Sequence, residues 1–175
     1  MSIPTVHWQG LVHRAHNPLW SYTPTSGTGA AHHGGRFNRK GMLALYTSLD
    51  PKTAWMEGQQ GFPFKPQPMT LVSYEVDCEN IVDLTDPSVK RAAGTSAADL
   101  ACPWEDLASR NIDPPTWTLA DSLISTGVAG IIVRSFAPGC GPEDLNLVFW
   151  SWSEKKPHRI ITIDDHERLP NPSGS

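Results

Sequence analysis

Charge is what this chain has least of. Asp, Glu, Lys and Arg make up 18% of its residues, against about 25% in soluble globular proteins, which excludes disorder driven by a high density of charge. A basic excess is missing as well. Fourteen Lys and Arg stand against 18 Asp and Glu, a formal net charge of −4, the wrong sign for a general polyanion binder, so no direct nucleic-acid partner is expected. Cysteine is scarce: Cys78, Cys102 and Cys140 are three in number and widely spaced. Neither a disulfide framework nor a zinc ribbon is implied, and reduced thiols are expected. No run approaches the roughly 18 apolar residues of a membrane span, and the first eight residues lack the basic end and apolar stretch of a secretory signal, so a cytoplasmic location without membrane contact is expected. Repeats, heptads, low-complexity blocks and linkers are absent too, which leaves one domain.

The 175 residues, 39% of them hydrophobic, are enough for a sizeable core, because a domain near this size buries about 70% of the surface its unfolded chain exposes. Fourteen Gly and 16 Pro imply many turns and a site built on loops. Residues 42–47 (MLALYT) form a short apolar run that reads as a buried strand. Asp50 as N-cap with Pro51 at the first helical position opens a helix over 52–60, which carries Glu57. Alternation predicts a strand over 69–76, a shorter one over 81–84 and strands over 128–133, 145–152 and 159–163, the last two joined by a hairpin connection at 153–158. Helices are predicted over 87–93, 104–109 and 116–125, the last closed by Gly127. The expected fold is α+β: a single domain over residues 1–168, with central mixed or antiparallel sheets, short flanking helices, and a flexible tail over 169–175.

The sharpest local signal is Gly34-Gly35-Arg36-Phe37-Asn38, eight residues before Tyr46 and followed within two helical turns by Glu57. Paired glycines let backbone approach a ligand, and the adjacent arginine offers a planar fork for phosphate or carboxylate. By itself the pattern fits a glycine turn with a surface arginine equally well. Likewise Glu57 alone reads as a solvated helix residue, Tyr46 as a core aromatic and Ser135 as a strand end. His32-His33 has no carboxylate or cysteine at ligand spacing, so no metal is expected. The seven tryptophans read most simply as packing, and residues 99–106 (DLACPWED) have no evident role.

Taken in order, His13-Arg14, Gly34 to Asn38, Ala44-Leu45-Tyr46-Thr47-Ser48, Ala54-Trp55-Met56-Glu57, Val133-Arg134-Ser135 and Asn146-Leu147-Val148-Phe149 resemble a RES domain over about residues 11–149. The resemblance implies an ADP-ribosyltransferase-like fold and the toxin of a type II toxin–antitoxin pair, acting on NAD+ as substrate without a metal. It implies Glu57, Arg14, Tyr46 and Ser135 as catalytic residues, and Arg14, Gly35, Arg36, Phe37, Asn38, Tyr46, Ser135 and Asn146 as contacts to the dinucleotide. It further implies a cognate antitoxin, commonly with a Xre-like or related DNA-binding domain. Depletion of NAD+ by water or phosphate, transfer of ADP-ribose to a specific protein target, and a non-catalytic module for an anionic ligand all remain open. Phe37 stands where tryptophan is commoner, Arg39-Lys40 adds two cations to the loop, and Arg134 occupies a position where many relatives have proline.

Overall fold

A computed structural model describes residues 2–60 and 64–171. Its strands are β1 (Val6–His16), β2 (Leu45–Ser48), β3 (Thr70–Asp83), β4 (Gly130–Arg134), β5 (Leu145–Phe149) and β6 (His158–Thr162). Its helices are α1 (Thr28–His33), α2 (Pro51–Gly58), α3 (Pro87–Ala92), α4 (Ala97–Leu100), α5 (Trp104–Ser109) and α6 (Pro115–Ser125). Pairing runs β1-β2-β5-β4-β3 and returns from β3 to β1, so five strands close into a ring, and β6 adds to the free stretch of β3. Among the described strand pairs only β3–β4 is parallel. This is the α+β arrangement of mixed sheet and short helices expected from the sequence.

The long β3 is what closes the ring. One of its edges carries the whole of β1, from Val6 opposite Ile81 to His16 opposite Thr70, while the other carries β6 at Tyr74 to Cys78 and β4 at Ile81 to Asp83. Between those two halves Asn80 sits at φ 60° and the ladder to β1 slips between Val6 and Trp8. This extra residue bends the strand and shifts its inward-facing phase. The strands expected separately over 69–76 and 81–84 are therefore one. β1 was not legible because only Val12 and His16 of its eleven residues are buried; its partner, not its own pattern, makes it a strand.

Period-two alternation divides the central strands between two cores. Leu147, Phe149 and Ile132 point into the ring with Val12, Tyr74, Val76 and Ile160. Val148, Ile131 and Val133 point the other way, where Leu119 and Leu123 of α6, Val89 of α3 and Leu100 cover them. Both faces of β4 and β5 are covered, which is why those segments read as continuous apolar runs. The strand expected over 42–47 begins only at Leu45. Leu169, expected to open a flexible tail, packs against the ring core, and its amide donates to Asp164 Oδ2 at 3.0 Å; residues 172–175 of that expected tail lie outside the described residues.

Candidate active site

Helix α2 sets the carboxylate. The Asp50 side chain accepts from the Lys52 amide at 2.8 Å and Pro51 takes the first turn, so the helix starts where the sequence signals it and delivers Glu57 to its last turn. Glu57 Oε1 accepts from Ser135 Oγ at 2.5 Å and from Asn146 Nδ2 at 2.6 Å, and Oε2 accepts from Gln60 Nε2. Each donor is itself fixed. Ser135 Oγ receives the Ala137 amide at 3.2 Å, which directs its own proton to Glu57. Ser48 Oγ donates to Asn146 Oδ1 at 2.7 Å, which turns the amide's NH2 toward the acid. Among the described residues Glu57 is thus held by neutral donors and enters no ion pair, so its negative charge stays available for positive charge that develops beside it.

The glycine loop is a second rigid unit. Asn38, with no exposed surface, donates to the carbonyls of Ala30, Arg39 and Met42 and accepts from Tyr46 Oη at 2.7 Å. Tyr46 Oη in turn accepts the Phe37 amide at 2.9 Å. A Cβ on Gly35 would sit 2.5 Å from that phenol oxygen and 2.6 Å from Asn38 Oδ1, so no side chain fits there. Burial pushes the Tyr46 phenol above its ordinary pKa, keeping it a neutral donor. Two indoles lock the loop from outside: Trp117 Nε1 donates to Gly35 O at 2.7 Å and Trp150 Nε1 to Phe37 O at 2.9 Å. Arg39 points away to Asp113 and Asp121, both at 2.7 Å.

Arg36 stays in the pocket. Its Nη1 donates to Leu100 O at 2.9 Å and Cys102 O at 2.6 Å, and its Cζ lies 4.6 Å over the Phe136 ring. The segment 99–106 thereby gains a role as the carbonyl cradle for this arginine. Burial lowers the Arg36 pKa, while Cys102 and then Glu57 pull it back up, which places the acid and the guanidinium in one field. Arg14 Nη1 makes two long contacts, 3.3 Å to Pro24 O and 3.4 Å to Ser26 O, and Arg134 Cζ lies 5.5 Å from the centroid of the same Phe136 ring.

Of the residues expected at the site, Arg14, Gly35, Arg36, Phe37, Tyr46, Glu57 and Asn146 all line one cleft of about 380 Å³. Asn38 and Ser135 do not. Each has no exposed surface: Asn38 holds the loop and Ser135 holds Glu57. Arg134 and Phe136 also line the cleft. Among the described residues Arg14, Arg36 and Arg134 enter no ion pair, leaving three guanidinium groups facing a cavity that holds Glu57. The roles of Ser48, Trp117 and Trp150 escaped the sequence reading because each acts through a partner far along the chain, and that of Gln60 because helix spacing alone does not show that it meets Glu57. Among the described residues no cluster of three or more His, Cys, Asp or Glu is arranged to hold a metal.

Comparison with known proteins places this geometry. No curated protein sequence matches the chain. Among solved structures, a chain of the M. tuberculosis MbcT–MbcA toxin–antitoxin complex superposes with a TM-score of 0.63 at 18% identity, covering 91% of this chain and 84% of that one, which is a likeness of fold. The family model described as RES domain matches residues 11–171. The match covers every residue that lines the cleft, and the chain belongs to the RES domain family.

Proposed function

We propose that this chain is the toxin of a toxin–antitoxin pair and cleaves the nicotinamide–ribose bond of NAD+. The observation that carries the reading is Glu57: a carboxylate fixed by neutral hydrogen bonds, in a cleft whose three arginines enter no ion pair among the described residues. Nicotinamide leaves a dinucleotide as a neutral molecule from a cationic ring, so no general acid has to protonate it, unlike the leaving group of an ordinary glycoside. One carboxylate suffices. As the bond breaks, positive charge develops on the ribose, and Glu57 stabilises it by charge and by accepting a hydrogen bond from a ribose hydroxyl. Arg14 and Arg36 take the pyrophosphate, which fixes the sugar for attack on its open face, and the Tyr46 ring supplies a flat wall for the nicotinamide.

Membership of the RES family and the fold shared with a chain solved in a toxin–antitoxin complex support the toxin role; the partner in this reading is a cognate antitoxin with a Xre-like or related DNA-binding domain, which covers the cleft in the producing cell. No helix is long and apolar enough to cross a membrane among the described residues, and the proposed place of action is the cytoplasm, where NAD+ is drawn down. Incubating the pure chain with NAD+ tests the reading. Release of nicotinamide without any added acceptor is expected for water or phosphate as nucleophile. Turnover only in lysate, with label on one protein band, identifies ADP-ribosyl transfer to a protein. Ligand binding with no turnover in either condition contradicts cleavage and leaves an anion-binding module.

A further inference from the structure

Four strands place one polar residue each in a row beneath α2, which packs on β1 and β2. Ser73 of β3 pairs with His13 of β1, His13 with Ser48 of β2, and Ser48 with Asn146 of β5, and directly paired residues turn their side chains to one face. That face is the cleft's, since His13, Ser48 and Asn146 all line it. One end of the row is explained, because Ser48 turns the Asn146 amide toward Glu57. His13 is not. Its Nδ1 lies 2.7 Å from Ser73 Oγ, which fixes the ring, while Nε2 has no hydrogen bond among the described residues and, unlike the sealed nitrogens of His16, keeps accessible surface. Burial lowers the His13 pKa, with the Asp50 carboxylate opposing it, so the ring is neutral at physiological pH. His13 and Asn146, which holds Glu57, stand two strand spacings apart across Ser48, roughly 10 Å, which leaves room for a sugar between imidazole and carboxylate.

We propose that His13 is a catalytic residue of this cleft, the base whose Nε2 takes a proton from an attacking water. This rests on the reading of the cleft as a site of NAD+ cleavage and deepens it by naming the nucleophile: water has to lose a proton as it attacks and gains from a neutral base, whereas an anion such as phosphate does not. In the step the bond from the ribose C1′ to the ring nitrogen breaks and its electron pair leaves with neutral nicotinamide. A lone pair of the water oxygen forms the new bond to C1′, and the water proton passes to Nε2, which holds it as imidazolium until it returns to solvent. Nδ1–H donating to Ser73 Oγ keeps Nε2 in its accepting form, as the bond made by one ring nitrogen sets the state of the other. Glu57, whose oxygens already accept from Ser135, Asn146 and Gln60, is left to the charge on the ribose.

Nicotinamide release and product identity, measured for the full wild-type chain, His13→Gln and His13→Ala in phosphate-free buffer with and without azide, test this. The wild type is expected to yield ADP-ribose without phosphate. His13→Gln is expected to lose at least about a hundredfold in kcat, with KM within about threefold of the wild type and an unchanged melting profile. Azide attacks without giving up a proton, so it is expected to restore release by His13→Ala at least about tenfold, with ADP-ribosyl azide as product, and to change the wild-type rate little. A histidine that only supports the sheet is not replaced by an anion in solution. Release by His13→Gln at the wild-type rate, an effect confined to KM, a loss that azide does not restore, or a wild type that acts only when phosphate is supplied overturns the proposal and leaves the cleavage reading standing. A wild type that releases nicotinamide under none of these conditions, phosphate included, overturns both.

Discussion

At the scale of single residues, the site is a set of side chains whose direction is imposed by other side chains. Ser48 shows this most simply. It touches neither Glu57 nor the cleft's arginines, but its hydroxyl decides which end of the Asn146 amide faces the acid. Without it the amide is free to turn its carbonyl toward Glu57, where two acceptors would repel. Ser48→Ala is expected to lower turnover by roughly tenfold or more, because small misplacements of a reacting group cost about this much, while Ser48→Thr, which keeps the hydroxyl, retains most of it. Steady-state nicotinamide release by the two variants checks this. Glu57, Arg36, Tyr46 and Asn146 were legible because each sits in a short motif with its neighbours. Ser48 was read only as part of such a motif, and Gln60 not at all, since nothing along the chain shows that either hydroxyl or amide meets its partner.

At the scale of elements, legibility follows how local the cause is. Helix α2 was plain in Asp50 and Pro51 because an N-cap and its proline are adjacent; α3 was equally plain in Asp86, whose carboxylate accepts from the Ser88 and Val89 amides. The same reasoning could not find β1, whose outward residues include Leu11 at the surface and whose pairing partner lies some sixty residues on, nor could it join the two halves of β3 across the turned Asn80. Tryptophans 117 and 150, read as packing, proved to be donors to loop carbonyls, a role only tertiary structure assigns. Because α2 is held at its start by one capping bond, Asp50→Ala is expected to cost about 1 kcal/mol in urea unfolding, and to loosen Glu57 at the other end of the same short helix. An unchanged midpoint would mean that packing against β1, not the cap, holds α2 in place.

At the scale of the whole molecule, the fold brings a β1 arginine, a loop arginine and a helix acid to one opening because the ring of strands closes between β1 and β3. His16 lies at that closure and gives stability a pH dependence with a definite sign. An unfolded histidine titrates near 6.5 and the folded one about 4, so between these values the unfolded chain binds more protons. The contribution is fully present above about pH 6.5 and is lost as pH falls toward 4, by roughly 3 kcal/mol at most. Denaturant midpoints at pH 7 and pH 4.5 are expected to differ in the wild type and to differ less in His16→Leu, with the part due to His13, whose pKa burial also lowers, remaining; parallel behaviour of the two proteins would show that folding does not lower the His16 pKa. On the proposed reading, the three cleft arginines that enter no ion pair among the described residues predict that NAD+ affinity falls as salt rises, since exposed charge interactions fade with ionic strength.

The central claim is that Glu57, held by Ser135 and Asn146, does the chemistry in this cleft. The most direct measurement is nicotinamide release from NAD+ by the purified wild-type chain and by Glu57→Gln, whose amide keeps the size of the acid and removes its charge. The account expects rapid release by the wild type, a loss of at least about a hundredfold in the variant and an unchanged melting profile. Release by Glu57→Gln at the wild-type rate would contradict it.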